Sequence, residues 1–369
     1  MKIIVLASVG RSGSDFFQSL LDSHPQVLQF PGQIWFDKDF INILDERNNK
    51  IIANLFCEQY PQFFDSRLNL IERHNQLGKN RKLFYIVNKE KFLKQFSIIR
   101  KRTYKNKINI IKDLNLAYYR AAGISTKSVR IMLLHLHLIG FIKNFFKYFP
   151  KLKNMVFLVT LRDILASLGA TLKKWPHYED GTGLNAQTLY DNLFAHFQTI
   201  KELKKYKKKM FIVQLENIHK KNFIVMKDFC KIFNLRFKQS LKKSTWLGKK
   251  WWGDAISIKY LDGVNPNFKN KFYEQYFFKK DLDIIESKLS DLLLHYNYPI
   301  RSNLKKRKLL EIFPFKFEMI VWLNSIFKLK IKQIIKIPYF WVKRICFLYN
   351  DNIYKKFNFP YSIGSKKSR

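Results

Sequence analysis

The chain has 369 residues, 47% of them hydrophobic; this suits one large α/β domain, with or without a tail, and excludes a disordered polymer. Its formal charge is +40, from 68 basic against 28 acidic residues. That excess favours anionic partners, but the basic residues are spread along the whole chain. Such a spread fits drift toward Lys, Asn, Ile and Phe better than a specific nucleic-acid face. The three cysteines, Cys57, Cys230 and Cys346, lie far apart, so neither a disulfide framework nor a metal-ligand spacing is expected. A reducing compartment follows.

Residues 3–7 form a short apolar, β-branched run, as a buried parallel strand requires. The run is too short for a secretory signal, and Arg11 interrupts any extension. No stretch reaches the roughly eighteen apolar residues of a membrane span. A cytoplasmic location is therefore expected. Gly10, Ser12, Gly13 and Ser14 make a turn, and residues 15–23 carry helical periodicity until His24-Pro25 stops it. Residues 38–127 alternate helical patches with basic polar stretches; they are expected to cap the sheet as helices and long loops and to bind the acceptor.

Further strands are expected at 129–136, 155–160 and 211–215, with helices at 139–148, 164–174, 186–205 and 222–233. Strands separated by helices imply a P-loop-like α/β fold, a central parallel sheet flanked by helices. The alternation stops near residue 302. This divides the chain into a domain over 1–300 and a basic, mainly helical C-terminal extension over 301–369.

Two segments carry chemistry. In the first, Ala7-Ser8-Val9-Gly10-Arg11-Ser12-Gly13-Ser14 links a strand to a helix. Unpaired N–H groups and the dipole at a helix start attract anions, and glycines let the backbone wrap closely around one. Ser12 and Ser14 add hydroxyls, and Arg11 a guanidinium fork. The glycines are too close for a Walker A loop and no lysine follows them. A serine-capped helix without a ligand is the bland alternative. In the second, Arg162-Asp163 closes the strongest strand, with Ser167 one helical turn further on. Both side chains can converge on a phosphate at the carboxyl edge of a sheet. Alone, the pair equally reads as a surface Arg-Asp beside an amphipathic helix.

Gly-Arg-Ser-Gly-Ser followed by Ser-Leu-Leu-Asp-Ser-His-Pro-Gln-Val resembles the start of the carbohydrate and tyrosylprotein sulfotransferases, and Arg162-Asp163 with Ser167 and Trp175 resembles their second motif. The resemblance is specific over 1–30 and 154–175 and weaker over 213–235. It implies that Arg11, Ser12, Gly13 and Ser14 hold the 5′-phosphosulfate of 3′-phosphoadenosine-5′-phosphosulfate (PAPS), and that Arg162 and Ser167 hold its 3′-phosphate. Residues 246–263 resemble a late loop that covers the nucleotide, which would bring Lys249 and Gly253 to the donor. Asp15 and Ile164 depart from the family pattern, which has a hydroxyl or small residue and a proline there. The implied activity is sulfuryl transfer from PAPS to a hydroxyl or amine, with a glycan or lipid-linked glycan as the expected acceptor and Arg11 replacing the usual loop lysine.

The transfer needs a base for the acceptor proton. The neighbourhood after His-Pro lacks a glutamate, so the candidates are His135, then His137, with Asp37 as the carboxylate alternative. No metal is expected. The tail mixes lysines with Phe313, Phe315, Trp322, Phe327 and Trp341; it reads either as a helical appendage or as a surface for an anionic membrane. The competing functions are a P-loop kinase of a small molecule and a nucleic-acid- or membrane-binding protein on a vestigial nucleotide fold.

Overall fold

The computed structural model describes residues 1–101, 106–138, 140–150, 154–174, 193–194, 209–255, 260–270, 274–302, 312–327, 331–349 and 359–365. The helix expected over 186–205 and the side chain of Trp175 lie outside these residues.

β1 (Lys2–Ser8), β2 (Val27–Gln29), β3 (Ile131–Leu138), β4 (Met155–Leu161) and β5 (Met210–Gln214) form one sheet in the order β2-β3-β1-β4-β5. Every neighbouring pair is parallel. From Ile4 to Ala7, and from Phe157 to Leu161, no residue alternates outward. Strands covered on both faces need this continuous apolar run. The fold is thus the expected α/β class with a central parallel sheet. The sequence reading missed β2, which has only three residues.

β1 lies between β3 and β4, and the chain crosses from one side of it to the other. In parallel sheets, such a crossing opens a crevice at the carboxyl ends of the strands. α1 (Ser14–Leu21) follows β1 at this edge. The segment from 38 to 121 supplies α2 (Lys38–Asp45), α3 (Asn49–Gln59), α4 (Pro61–Phe64), α5 (Lys89–Arg100) and α6 (Lys107–Ala121). Asp37, Asn48, Asn88 and Asn106 cap four of them, each side chain accepting from a backbone N–H in the first turn. An aromatic cluster ties this segment to the sheet: Phe30 stacks on Phe63, centroids 5.6 Å apart, and Tyr118 donates its hydroxyl to the Phe63 carbonyl at 2.6 Å.

α7 (Gly140–Tyr148), α8 (Ile164–Lys174), α9 (Leu215–Lys220) and α10 (Asn222–Phe233) complete the layers beside the sheet. β6 (Thr245–Trp246) and β7 (Lys249–Lys250) make a small hairpin. Then come α11 (Lys279–His295), α12 (Lys316–Phe327) and α13 (Ile331–Tyr349). The chain afterwards returns to the sheet. Ile212 donates to Tyr361 at 3.0 Å and Ile363 to Ile212 at 2.9 Å, a parallel bridge along the outer edge of β5. Part of the 301–369 extension therefore covers a sheet edge, a position that otherwise invites pairing with another chain.

Candidate active site

The loop after β1 is held open by its backbone. Arg11 and Gly13 have φ of +57° and +82°, and α1 starts where Phe17 N–H bonds to the Gly13 carbonyl at 2.9 Å. The positive φ of Gly13 favours glycine, and a Cβ there would also push into the end of the Leu215 side chain of α9, 2.4 Å away. The Ser12 hydroxyl shares a 2.8 Å hydrogen bond with Thr160 at the end of β4. This locks the loop to the neighbouring strand.

Arg162 leaves the end of β4 toward the same loop. Its Nη1 donates to the Arg11 carbonyl at 3.3 Å and its Nε to Asn270 Oδ1 at 3.1 Å. Asn270 in turn donates to Glu216, which also accepts from the Asp163 backbone N–H at 3.0 Å. Glu216 thus positions Arg162 through Asn270. Neither Glu216 nor Asn270 stands out in the sequence, although Glu216 follows β5 in the segment of weaker family resemblance. Asp163 serves the fold itself. It caps α8 by accepting from Ala166 N–H at 2.9 Å and pairs with Arg301 at 2.8 Å. Ser167 is fully buried and gives its hydroxyl to the Gly10 carbonyl. To bind a phosphate, that hydroxyl would have to turn away from Gly10.

On the other side of the loop stands a ring of ionisable groups. Arg11 pairs with Asp254 at 3.0 Å. Asp15, in the first turn of α1, lies 3.5 Å from His135 Nδ1. The Ala255 N–H donates to the Ile71 carbonyl (2.8 Å) and the Trp251 indole N–H to the Glu72 backbone carbonyl (2.6 Å), tying the 251–255 loop to the 70–72 segment. Glu72 reaches the same ring: Asp15 and Asp254 act on its carboxyl as like charges and Arg11 as the opposing one. Its Oε2 is enclosed without a hydrogen-bond partner. Burial first, then Asp15 and Asp254, push the Glu72 carboxyl well above the usual range. Sequence reasoning missed Glu72, because nothing local links it to a loop sixty residues earlier.

His135 has a definite tautomer. Gln18 Nε2 donates to the Phe30 and Gly32 carbonyls at 2.8 and 3.2 Å, so its Oε1 faces His135 Nδ1 at 2.8 Å. Nδ1 must carry the hydrogen, and Nε2 keeps its lone pair. The ring is completely enclosed, and burial lowers its pKa to about 4. His137 sits beyond a register shift between β1 and β3, with φ +60°, its ring centroid 5.7 Å from that of His135. Burial lowers its pKa as well. The absence of a metal-ligand cluster expected from sequence does not hold in space: donor atoms of Asp15, His135 and His137 lie within 4.8 Å of one another.

Two other candidates lie apart from this ring. Asp37 caps α2, accepting from Phe40 N–H at 3.0 Å. Lys249 belongs to the β6–β7 hairpin, which is strapped to the far end of α1 by Asp22: its carboxylate accepts from Leu247 N–H at 3.0 Å and Gly248 N–H at 2.9 Å. α1 is eight residues long, which puts that end roughly 12 Å from the loop. Gly253, with φ +82°, directly precedes Asp254 and does border the loop.

No family model matches the chain, and no curated protein matches it. Among solved structures it is similar to a sulfotransferase domain from the Synechococcus PCC 7002 olefin synthase, at 11% identity and a TM-score of 0.41, over 72% of this chain and 84% of that one. It is also similar to a sulfotransferase domain from the curacin biosynthetic pathway, at 14% identity and a TM-score of 0.39, over 81% of this chain and 98% of that one. Likenesses this distant decide neither donor nor acceptor.

Proposed function

We propose that the chain is a sulfotransferase that moves the sulfuryl group of PAPS to a hydroxyl or amine. The observation that carries this reading is the meeting of two anion-binding elements at adjacent strand ends, where Arg162 donates to the Arg11 carbonyl. The first element takes the 5′-phosphosulfate on Arg11, Ser12, Gly13 and Ser14. The second takes the 3′-phosphate on Arg162, with Ser167 once its hydroxyl leaves Gly10. A donor with two anionic ends fits this pair better than a simple nucleoside triphosphate, for which the loop lacks its lysine. A glycan acceptor rests on the sequence resemblance alone.

In the transfer, the bond from sulfur to the leaving phosphate oxygen breaks and a bond to the acceptor oxygen or nitrogen forms. Charge grows on the leaving phosphate, where Arg11 and the loop amides can stabilise it. The acceptor proton needs a base. His135, the first sequence candidate, is enclosed and too weakly basic at neutral pH. Glu72 is half-buried and has a raised pKa. Glu72, among Asp15, Asp254 and Arg11, is therefore the proposed base.

Calorimetric titration with adenosine 3′,5′-bisphosphate and with ADP tests the donor. The bisphosphate should bind more tightly than ADP. Arg162→Ala should weaken it about 10- to 150-fold, the worth of a charge-assisted hydrogen bond. Equal binding of the two nucleotides would refute the reading.

A further inference from the structure

α12 and α13 are apolar on two faces each. In α12, Phe317 and Val321 point inward, yet Met319, Trp322, Leu323 and Ile326 are exposed. Their spacing of three, four and seven residues puts them on one outer stripe. In α13, Ile337, Phe340 and Leu348 are buried, while Ile331, Ile335, Tyr339 and Val342 are exposed. These again share one face. Phe327, at the end of α12, is 82% exposed, and Ile331, which opens α13, 69%. An ordinary surface helix turns a polar face to water. Two consecutive helices with apolar outer stripes need another explanation.

The pair is held in a fixed geometry. Buried Arg344 of α13 grips Glu318 of α12 through Nε–Oε1 at 2.7 Å and Nη2–Oε2 at 3.1 Å. The Trp341 indole donates to the Ile312 carbonyl at 2.8 Å. The stripes are therefore presented by a braced hairpin.

Charge selects the occupant. Between residues 312 and 349 the sequence has Lys316, Lys328, Lys330, Lys332, Lys336, Lys343 and Arg344 against Glu318 alone. Arg344 and Glu318 neutralise one another, which leaves six lysines without an acidic counterpart in this stretch. Lys336 and Lys343 are exposed on α13 beside the stripe. A second copy of a chain with charge +40 would be repelled from such a face. An anionic bilayer would be attracted by the lysines and would accept the apolar side chains below its headgroups. No described helix is long and apolar enough to cross a membrane, so the hairpin would lie on the surface.

We propose that the α12–α13 hairpin docks the protein on an anionic lipid surface, with Trp322, Phe327, Ile331 and Ile335 inserted among the acyl chains. This does not depend on the reaction proposed above. The test is cosedimentation of the full chain with phosphatidylcholine vesicles, with and without phosphatidylglycerol, across a salt series. Trp322 emission is compared in the wild type and in Trp322→Phe. Binding should require the anionic lipid, weaken with salt, and fall about tenfold or more for each of Phe327→Ser and Ile335→Ser. Both positions are exposed, so the variants should keep the wild-type melting temperature. Three results would overturn the proposal: no binding at low salt, binding that these substitutions leave unchanged, or concentration-dependent self-association that Phe327→Ser abolishes.

Discussion

Replacing Glu72 by Gln removes the base while preserving the shape of the side chain. A general base contributes about 10²- to 10⁴-fold to rate, and the variant should lose that much turnover. Affinity for adenosine 3′,5′-bisphosphate should change little, because Glu72 does not belong to the phosphate-binding elements. Turnover can be followed as release of the bisphosphate from PAPS with a panel of hydroxyl and amine acceptors. The pH profile gives the sharper comparison. A carboxyl whose pKa is raised becomes an active base only as pH climbs through that raised value, so the acid limb of kcat should lie above 4.5, the ordinary glutamate position. Asp15→Asn removes one of the like charges that hold it there and should move the limb to lower pH. If His135 were the base, the limb would fall at about 4 instead. A limb at that position that vanishes in His135→Asn, or full turnover in Glu72→Gln, would refute the assignment.

Gly13→Ala should cost the fold about 1–3 kcal/mol, because φ is +82° and the new methyl would meet Leu215 at 2.4 Å. Thermal denaturation should report that loss, and calorimetry the loss of bisphosphate binding that follows from a distorted loop. Asp22 gives a second pH prediction, since burial raises its pKa to about 6 despite four hydrogen-bond donors. The folded state then binds the proton more readily than the unfolded chain, so the carboxylate's cost to stability applies above pH 6 and fades as pH falls toward 3.8. The difference corresponds to roughly 3 kcal/mol. The melting temperature of the wild type relative to Asp22→Asn should rise as pH falls from 7.5 to about 5. A constant offset would show that Asp22 has an ordinary pKa.

Parallel strands with helices between them are legible in the sequence because Ile4–Ala7 of β1 and Phe157–Leu161 of β4 are buried and, apart from Thr160, apolar throughout. The two proposed phosphate elements can be read from sequence because each is a local strand–turn–helix segment. The caps Asp37, Asn48, Asn88 and Asn106 are equally visible as residue types, yet pattern alone does not divide the segment between 38 and 127 into its helices. Its packing faces are aromatic, and its helices follow one another without the strands of a repeating βα pattern. The base is out of reach for a different reason. Glu72 is brought toward Arg11, Asp15 and Asp254 by hydrogen bonds from the Ala255 N–H and the Trp251 indole to the carbonyls of Ile71 and Glu72, two segments nearly two hundred residues apart in the sequence.

On the proposed reading, Gly253 also acts on the donor site through the neighbouring Asp254. Arg11 stands among three carboxyl groups, those of Asp254, Asp15 and Glu72, and pairs directly with Asp254. An arriving phosphosulfate would find its guanidinium partner already engaged. It would also bring more negative charge to Glu72, whose pKa is already raised by burial, Asp15 and Asp254. Withdrawal of Asp254 would, on the proposed reading, leave Arg11 to the donor and lower the like charge around Glu72. Asp254 sits on a loop turned by Gly253 in the left-handed region. A residue with a side chain would resist that conformation. The turn at Gly253 thereby sets where Asp254 stands against Arg11. On that reading Asp254, which compensates Arg11 here, would have to leave it before the phosphosulfate could bind there.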